Sequence, residues 1–160
     1  MIKACINDEN ALDKSMSDQY DVGKCISVIY RKFQVEMNKR LKPYGVNSSQ
    51  YIFLIQLYKN NNVSQEFLSN KLLIDKSATA RAIAQLEQAG FVERKVSEDD
   101  KRCKIVSLTE KSHEVQKELW RFLKDWNKEL IKTFSEDEYQ QVHGSLMQMM
   151  ENVLSSDMNE

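Results

Sequence analysis

With one proline and four glycines in 160 residues, the chain has too few turn-formers for an all-β fold. Long apolar runs are absent as well: none approaches the roughly 20 residues that cross a bilayer, so no membrane partner is expected. The first eighteen residues, MIKACINDENALDKSMSD, lack the apolar stretch of a secretory signal. Three cysteines, Cys5, Cys25 and Cys103, stand far apart with no Cys-x-x-Cys pair. That spacing suits reduced thiols better than a disulfide framework, and the cytoplasm is the expected compartment. His113 and His143 are isolated, there is no H-E-x-x-H helix and no glycine-rich phosphate loop. No metal site and no cofactor are expected, and no enzymatic constellation stands out. A chain of this length buries one good core, as one domain or two small lobes.

Charge of one sign is also lacking overall, with a formal net charge of −1. The distribution matters more than the sum. The N-terminal stretch is acidic, and from Thr133 onward there is no Lys or Arg, only Glu136, Asp137, Glu138, Glu151, Asp157 and Glu160. Between residues 19 and 132 basic side chains therefore outnumber acidic ones by seven. A local positive field of this kind is what phosphate binding requires, although blocks of this size also arise on ordinary solvated faces.

The most informative run is residues 74–109, IDKSATARAIAQLEQAGFVERKVSEDDKRCKIVSLT. Asp75 is placed to cap a helix, and Thr79, Ile83 and Leu86 recur as a narrow apolar stripe at helical spacing. Gly90 stands where that helix would end in a left-handed residue. Phe91, Val92 and Val96, then Ile105, Val106 and Leu108, favour two strands around a charged tip. A helix followed by a hairpin carrying Lys101 and Arg102 is the working half of a winged helix-turn-helix, able to address two neighbouring DNA grooves.

Here the segment resembles the MarR family of bacterial transcriptional regulators. The run Asp100-Lys101-Arg102-Cys103-Lys104-Ile105-Val106-Ser107-Leu108-Thr109 fits that family's wing pattern, and Leu86 to Arg94 fits the exit of its reading helix into the wing. The resemblance covers roughly residues 20–155. It implies a sequence-specific DNA-binding regulator, a repressor released by a ligand or stress signal, working as a homodimer on double-stranded DNA.

The flanking segments read as helices. The first spans Val22 to Lys42, with Val22, Ile26, Ile29, Phe33, Met37 and Leu41 on one face, and Pro43 and Gly45 end it. A second follows a capping box, Asn47-Ser48-Ser49-Gln50, is apolar on nearly all sides, and stops at Asn60-Asn61-Asn62. A short third starts at Ser64, with Phe67, Leu68 and Leu72 inward. After the wing, Thr109 is expected to cap a long helix through Ile131, and Ser135 with Glu138 forms a box opening a last helix. The expected fold is mainly α with a small β-hairpin wing. Residues 1–19 form a flexible tail, 46–109 a winged helix-turn-helix lobe, and 20–44 with 110–155 a helical dimerisation region. The apolar faces of the outer helices exceed what a small lobe covers, which points to a symmetric dimer on an inverted repeat.

Candidate DNA contacts are Lys76, Ser77, Ala78, Arg81 and Gln85 on the reading helix and Arg94, Asp100, Lys101 and Arg102 in the wing. Arg81 suits a guanine edge. Arg102 resembles the family's minor-groove arginine, with Asp100 orienting it or simply closing a hairpin ion pair. Arg94 and Lys101 suit phosphates. Alternatively, Lys76 and Arg81 are solvated helix charges, and the fold serves as a protein–protein module that has lost DNA binding. The resemblance also implies a pocket for a small aromatic or phenolic ligand. Tyr30, Phe33, Met37, Tyr51 and Trp120 are its candidate lining, and ordinary core packing is the alternative for each. A redox role through Cys25 is a further alternative, since one branch of the family senses peroxide through a cysteine in this helix. Ile29 and Lys39 stand where that branch carries tyrosines.

Overall fold

The structure is a computed structural model and describes residues 21–97, 101 and 103–156. Its order is α1 (Asp21–Leu41), a 3-10 turn (Lys42–Tyr44), α2 (Tyr51–Lys59), β1 (Val63–Ser64), α3 (Gln65–Leu72) and α4 (Lys76–Gln88). Strands β2 (Val92–Val96) and β3 (Lys104–Leu108) follow, then α5 (Ser112–Leu130) and α6 (Glu136–Ser156). The fold is mostly helical with one small antiparallel sheet. The chain divides into two compact units, one up to Leu119 and one from Trp120.

The core of the first unit is built where the apolar spacing placed it. Met37 and Leu41 of α1, Phe53, Leu54 and Leu57 of α2, and Leu68 of α3 are buried. Ile83 and Leu86 of α4, Phe91 and Val106 of the hairpin, and Val115 and Leu119 of α5 complete it. Each such side chain contributes about 1.5–3 kcal/mol by leaving water. The stripe on α1 is divided: Phe33, Met37 and Leu41 are buried, whereas Val22, Ile26 and Ile29 are exposed. One corrected expectation is Phe67, which is 38% exposed because Leu68 and Ser69, not residue 67, face the core.

The capping box at Asn47 forms, with the Asn47 N–H donating to Gln50 Oε1 at 3.0 Å and the Ser49 N–H to Asn47 Oδ1 at 2.9 Å. It closes a turn, and the helix proper begins only at Tyr51. The asparagines that stop α2 do more than stop it. Asn61 Oδ1 accepts from the Leu108 N–H at 2.9 Å, and Asn62 Oδ1 accepts from the Ser107 hydroxyl at 2.7 Å. These bonds hold β1 against β3, giving a sheet in the order β1-β3-β2 where the sequence suggested a two-stranded hairpin. The Thr109 cap on α5 is a second correction. Its hydroxyl donates to Gly90 O at 2.6 Å, and the first turn of α5 is closed by Ser112, whose hydroxyl donates to Thr109 O at 2.7 Å. In the second unit, the Ser135–Glu138 box forms as expected: the Ser135 N–H donates to Glu138 Oε2 at 2.8 Å and the Glu138 N–H to Ser135 Oγ at 3.3 Å.

Candidate nucleic-acid interface

Helices α3 and α4 are joined by a turn through Leu73, Ile74 and Asp75. Leu73 takes a left-handed conformation at φ 54°. Two buried hydroxyl residues fasten the turn: Ser69 donates to Ile74 O at 2.6 Å and Thr79 to the same oxygen at 3.4 Å. Asp75 then caps α4, accepting from the Ser77 N–H at 2.8 Å and the Ala78 N–H at 3.0 Å. Those backbone donors, Ala78 first, hold the Asp75 carboxyl below its ordinary pKa.

With Thr79, Ala82, Ile83 and Leu86 turned into the core, α4 presents Lys76, Ser77, Arg81, Gln85 and Gln88 to solvent. Ala78, Ala80 and Ala84 lie among them, half-buried, and leave room for close approach. The helix ends at Gly90, φ 80°, and the chain passes directly into β2. Strands β2 and β3 pair from Val92 with Leu108 to Val96 with Lys104, and the Ser97 N–H donates to Cys103 O at 2.9 Å at the root of the tip. Lys101 is exposed in that tip; Asp100 and Arg102 lie outside the described residues.

Several of the expected DNA contacts have partners within the chain. Lys76 Nζ donates to Glu66 Oε1 at 2.6 Å, and this pairing lowers the Glu66 pKa and raises that of Lys76. Gln85 Oε1 accepts from Gln50 Nε2 at 3.0 Å. Arg94, expected on phosphate, closes on Glu87 within the chain: Nε donates to Oε2 at 2.8 Å, Nη2 donates to the same oxygen, and the Arg94 backbone N–H donates to Oε1 at 3.2 Å. Arg94 therefore joins the hairpin to α4. Glu66 and Glu87 were not singled out from the sequence, and Gln50 was read only as part of a capping box. Lone acidic and amide residues on amphipathic helices carry no local signal of a partner seven to thirty-five positions away.

Between α1, the turn before α2, and α4 lies an open cleft of about 600 Å³ whose walls include Tyr30, Tyr51, Ala78, Arg81 and Gln85. Burial raises the Tyr51 hydroxyl pKa, with Tyr30 nearby adding to it. Of the five residues expected to line a pocket, Tyr30 and Tyr51 do. Phe33 and Met37 do not, because the same helical face that brings them near turns them into the core; Phe33 instead packs on Tyr51 with ring centroids 5.4 Å apart. Trp120 belongs to the second unit, where it is exposed. Cys25 is exposed on the first half of α1. Among the described residues no group of His, Cys, Asp and Glu is arranged to hold a metal, and no helix is long and apolar enough to cross a membrane.

A buried stripe, a capped N-terminus and a solvent-facing row of Ser, Arg and small residues, followed immediately by a hairpin that exposes Lys101 beyond its strands, define a winged helix-turn-helix DNA-binding protein. Comparison with known proteins narrows this. The profile of the MarR family matches residues 46–104. The chain is 32% identical over 114 residues to the HTH-type transcriptional regulator BilQ of Clostridioides difficile strain CD3, covering 71% of this chain and 77% of that one. It superposes on a MarR transcriptional regulator from Methanosarcina mazei Go1 with a TM-score of 0.78 and 38% identity, over 84% of this chain and 96% of that one. A putative MarR family regulator from Listeria monocytogenes, solved in complex with a 26mer DNA, superposes with a TM-score of 0.76 and 28% identity, over 83% and 89% of the two chains. The protein belongs to the MarR family of transcriptional regulators.

Proposed function

We propose that this regulator acts as a cytoplasmic repressor, binding an inverted-repeat operator as a homodimer and leaving it when a small aromatic or phenolic anion enters the cleft beside α4. The observation that carries the reading is the position of Arg81. It is exposed on the DNA-facing row of α4 and is also part of the cleft wall. A guanidinium suits a guanine edge and suits a carboxylate or phenolate equally well. An anion that engages Arg81 takes it from the base it would read, and binding of DNA and ligand then oppose one another reciprocally. The cleft volume lies within the range of small-molecule sites. Lys101, exposed on the wing, is the positive charge that this reading assigns to the neighbouring groove.

The test is selection of duplexes from a random-sequence pool by the purified protein, followed by titration of the enriched duplex. The expected product is an inverted repeat with half-sites one helical turn apart, roughly 34–36 Å. Arg81→Ala should relax preference at one position per half-site, costing about 1–3 kcal/mol. A hydroxybenzoate should weaken binding of the wild type and leave Arg81→Ala unaffected. Enrichment of no sequence would remove the repressor reading in favour of a protein–protein module.

A further inference from the structure

We infer that Glu87 and Arg94 are positioning residues for DNA recognition: their fork fixes the angle between the reading helix α4 and the wing, and Arg94 acts through it and not on phosphate. The inference rests on the reading that α4 and the hairpin face DNA together.

The covalent link between α4 and the wing is short and contains Gly90 at φ 80°, so by itself it is a hinge. The hairpin is tied at its base. The Thr109 N–H donates to Phe91 O at 3.0 Å, the Thr109 hydroxyl to Gly90 O at 2.6 Å, and Lys111 Nζ to Ala89 O at 2.7 Å. The Glu87 clamp sits further out, two residues beyond the Val92–Leu108 pair that starts the ladder. Each residue of strand adds about 3.3 Å to the arm that carries the tip, so a second attachment away from the pivot is what suppresses its swing.

The chemistry of the clamp is specific. Strand β2 is an edge strand, and such a strand leaves backbone N–H groups without a sheet partner. One carboxylate oxygen of Glu87 takes the Arg94 N–H, and the other takes two donors of its guanidinium. Main chain and side chain are thus held at once by a charge-assisted fork, which fixes direction as well as distance. Arg94 retains its charge but has two of its five guanidinium N–H donors turned to Glu87, with its side chain 24% exposed. That arrangement depresses the Glu87 pKa, the Arg94 hydrogen bonds being the largest cause and Lys104 a minor one. A half-exposed pair of this kind adds little to stability. Its effect is geometric.

Two conservative substitutions separate this role from the alternatives, because each alternative gives a different outcome. Glu87→Gln removes a negative charge beside a polyanion, so simple electrostatics gives tighter binding; a positioning role gives weaker binding. Arg94→Lys keeps the charge that a phosphate contact needs but loses the fork; a phosphate contact gives near-wild-type binding, and a positioning role gives a loss. Both variants should bind the duplex enriched by the wild type at least about tenfold more weakly, with the dependence on salt unchanged, since no phosphate contact is lost. A readout without DNA tests the same geometry. Spin labels at positions 84 and 101, in a variant with the three native cysteines replaced by serine, should give a narrow distance distribution that broadens on adding Glu87→Gln. Either substitution binding as the wild type does, or a distribution that Glu87→Gln leaves unchanged, overturns the inference. Because the spin-label measurement needs no operator, it fails or succeeds independently of the proposed repressor role.

Discussion

At the scale of single residues, the interface is governed by which charges are already spoken for. Lys76 stands at the first turn of α4, where its ammonium is well placed for a phosphate, yet it is drawn to Glu66 on α3 at 2.6 Å. Both side chains are largely exposed, so the pair is screened and easily exchanged. On the proposed reading, a phosphate at this position would replace one anion with another. Glu66→Gln should therefore release Lys76 and tighten operator binding severalfold, steepening the salt dependence by up to about one phosphate contact. Titration across a salt series checks this. Equal or weaker binding by Glu66→Gln would mean that Lys76 is a solvated helix charge. The contrast with Glu87 is instructive: the same loss of a carboxylate beside the same helix has opposite expected signs, because one carboxylate occupies an exposed cation proposed to meet phosphate and the other holds the wing.

At the scale of elements, the helices meet through polar bonds as well as apolar faces. Tyr58 of α2 donates its hydroxyl to Ser112 O at the start of α5, at 2.6 Å, and burial pushes its pKa up to about 12. An unfolded tyrosine titrates near 10. Between about pH 10 and 12 the unfolded chain has lost this proton while the folded chain keeps it, so the stabilisation is whole below about pH 10 and is lost as pH rises towards 12. Tyr58→Phe should cost about 0.5–1.5 kcal/mol at neutral pH and flatten the fall in stability through that alkaline window. Urea unfolding of both proteins at neutral and alkaline pH measures it; an equally steep fall in the variant would assign the titration to other groups, such as Tyr51. The elements themselves were largely legible in the sequence. Asp75 and the Ser135–Glu138 box cap the helices they were expected to cap, because caps are read over three or four residues, and Ser64, read only as the start of α3, is its cap. What the sequence concealed is long-range. Strand β1 is two residues long and exists because Asn61 and Asn62 bond to β3 some forty-five positions away. Thr109 looked like a cap and is a fastener of Gly90 for the same reason: its partner is nineteen positions distant. The solvent-facing row of α4 was legible from period alone, whereas the attachment of Arg94 to Glu87 required the hairpin to turn back.

At the scale of the whole molecule, the deciding fact is apolar surface that the single chain does not cover. Helix α6 has no buried residue, and Val142, Leu146, Met149, Met150 and Val153 follow one another at helical spacing while exposed. Helix α1 independently exposes Val22, Ile26 and Ile29. Each of these side chains gains about 1.5–3 kcal/mol on full burial, and a contiguous row of them exceeds what monomers leave in water. A second copy of the chain is the partner that the two-half-site reading demands, and a two-fold axis supplies the same apolar row from both sides. At micromolar concentration the wild type should sediment at twice 18.7 kDa. Leu146→Lys combined with Val153→Lys places two charges on that row and should shift the sedimenting species to the single-chain mass while circular dichroism keeps the helical signal. The monomer should then lose most of its affinity for the full inverted repeat and little for an isolated half-site, because the gain from joining two reading heads is an effective-concentration gain and not a new contact. A wild type that sediments as one chain, or a double-lysine variant that stays paired, would place the dimer elsewhere or dismiss it, and the inverted repeat would lose its structural basis.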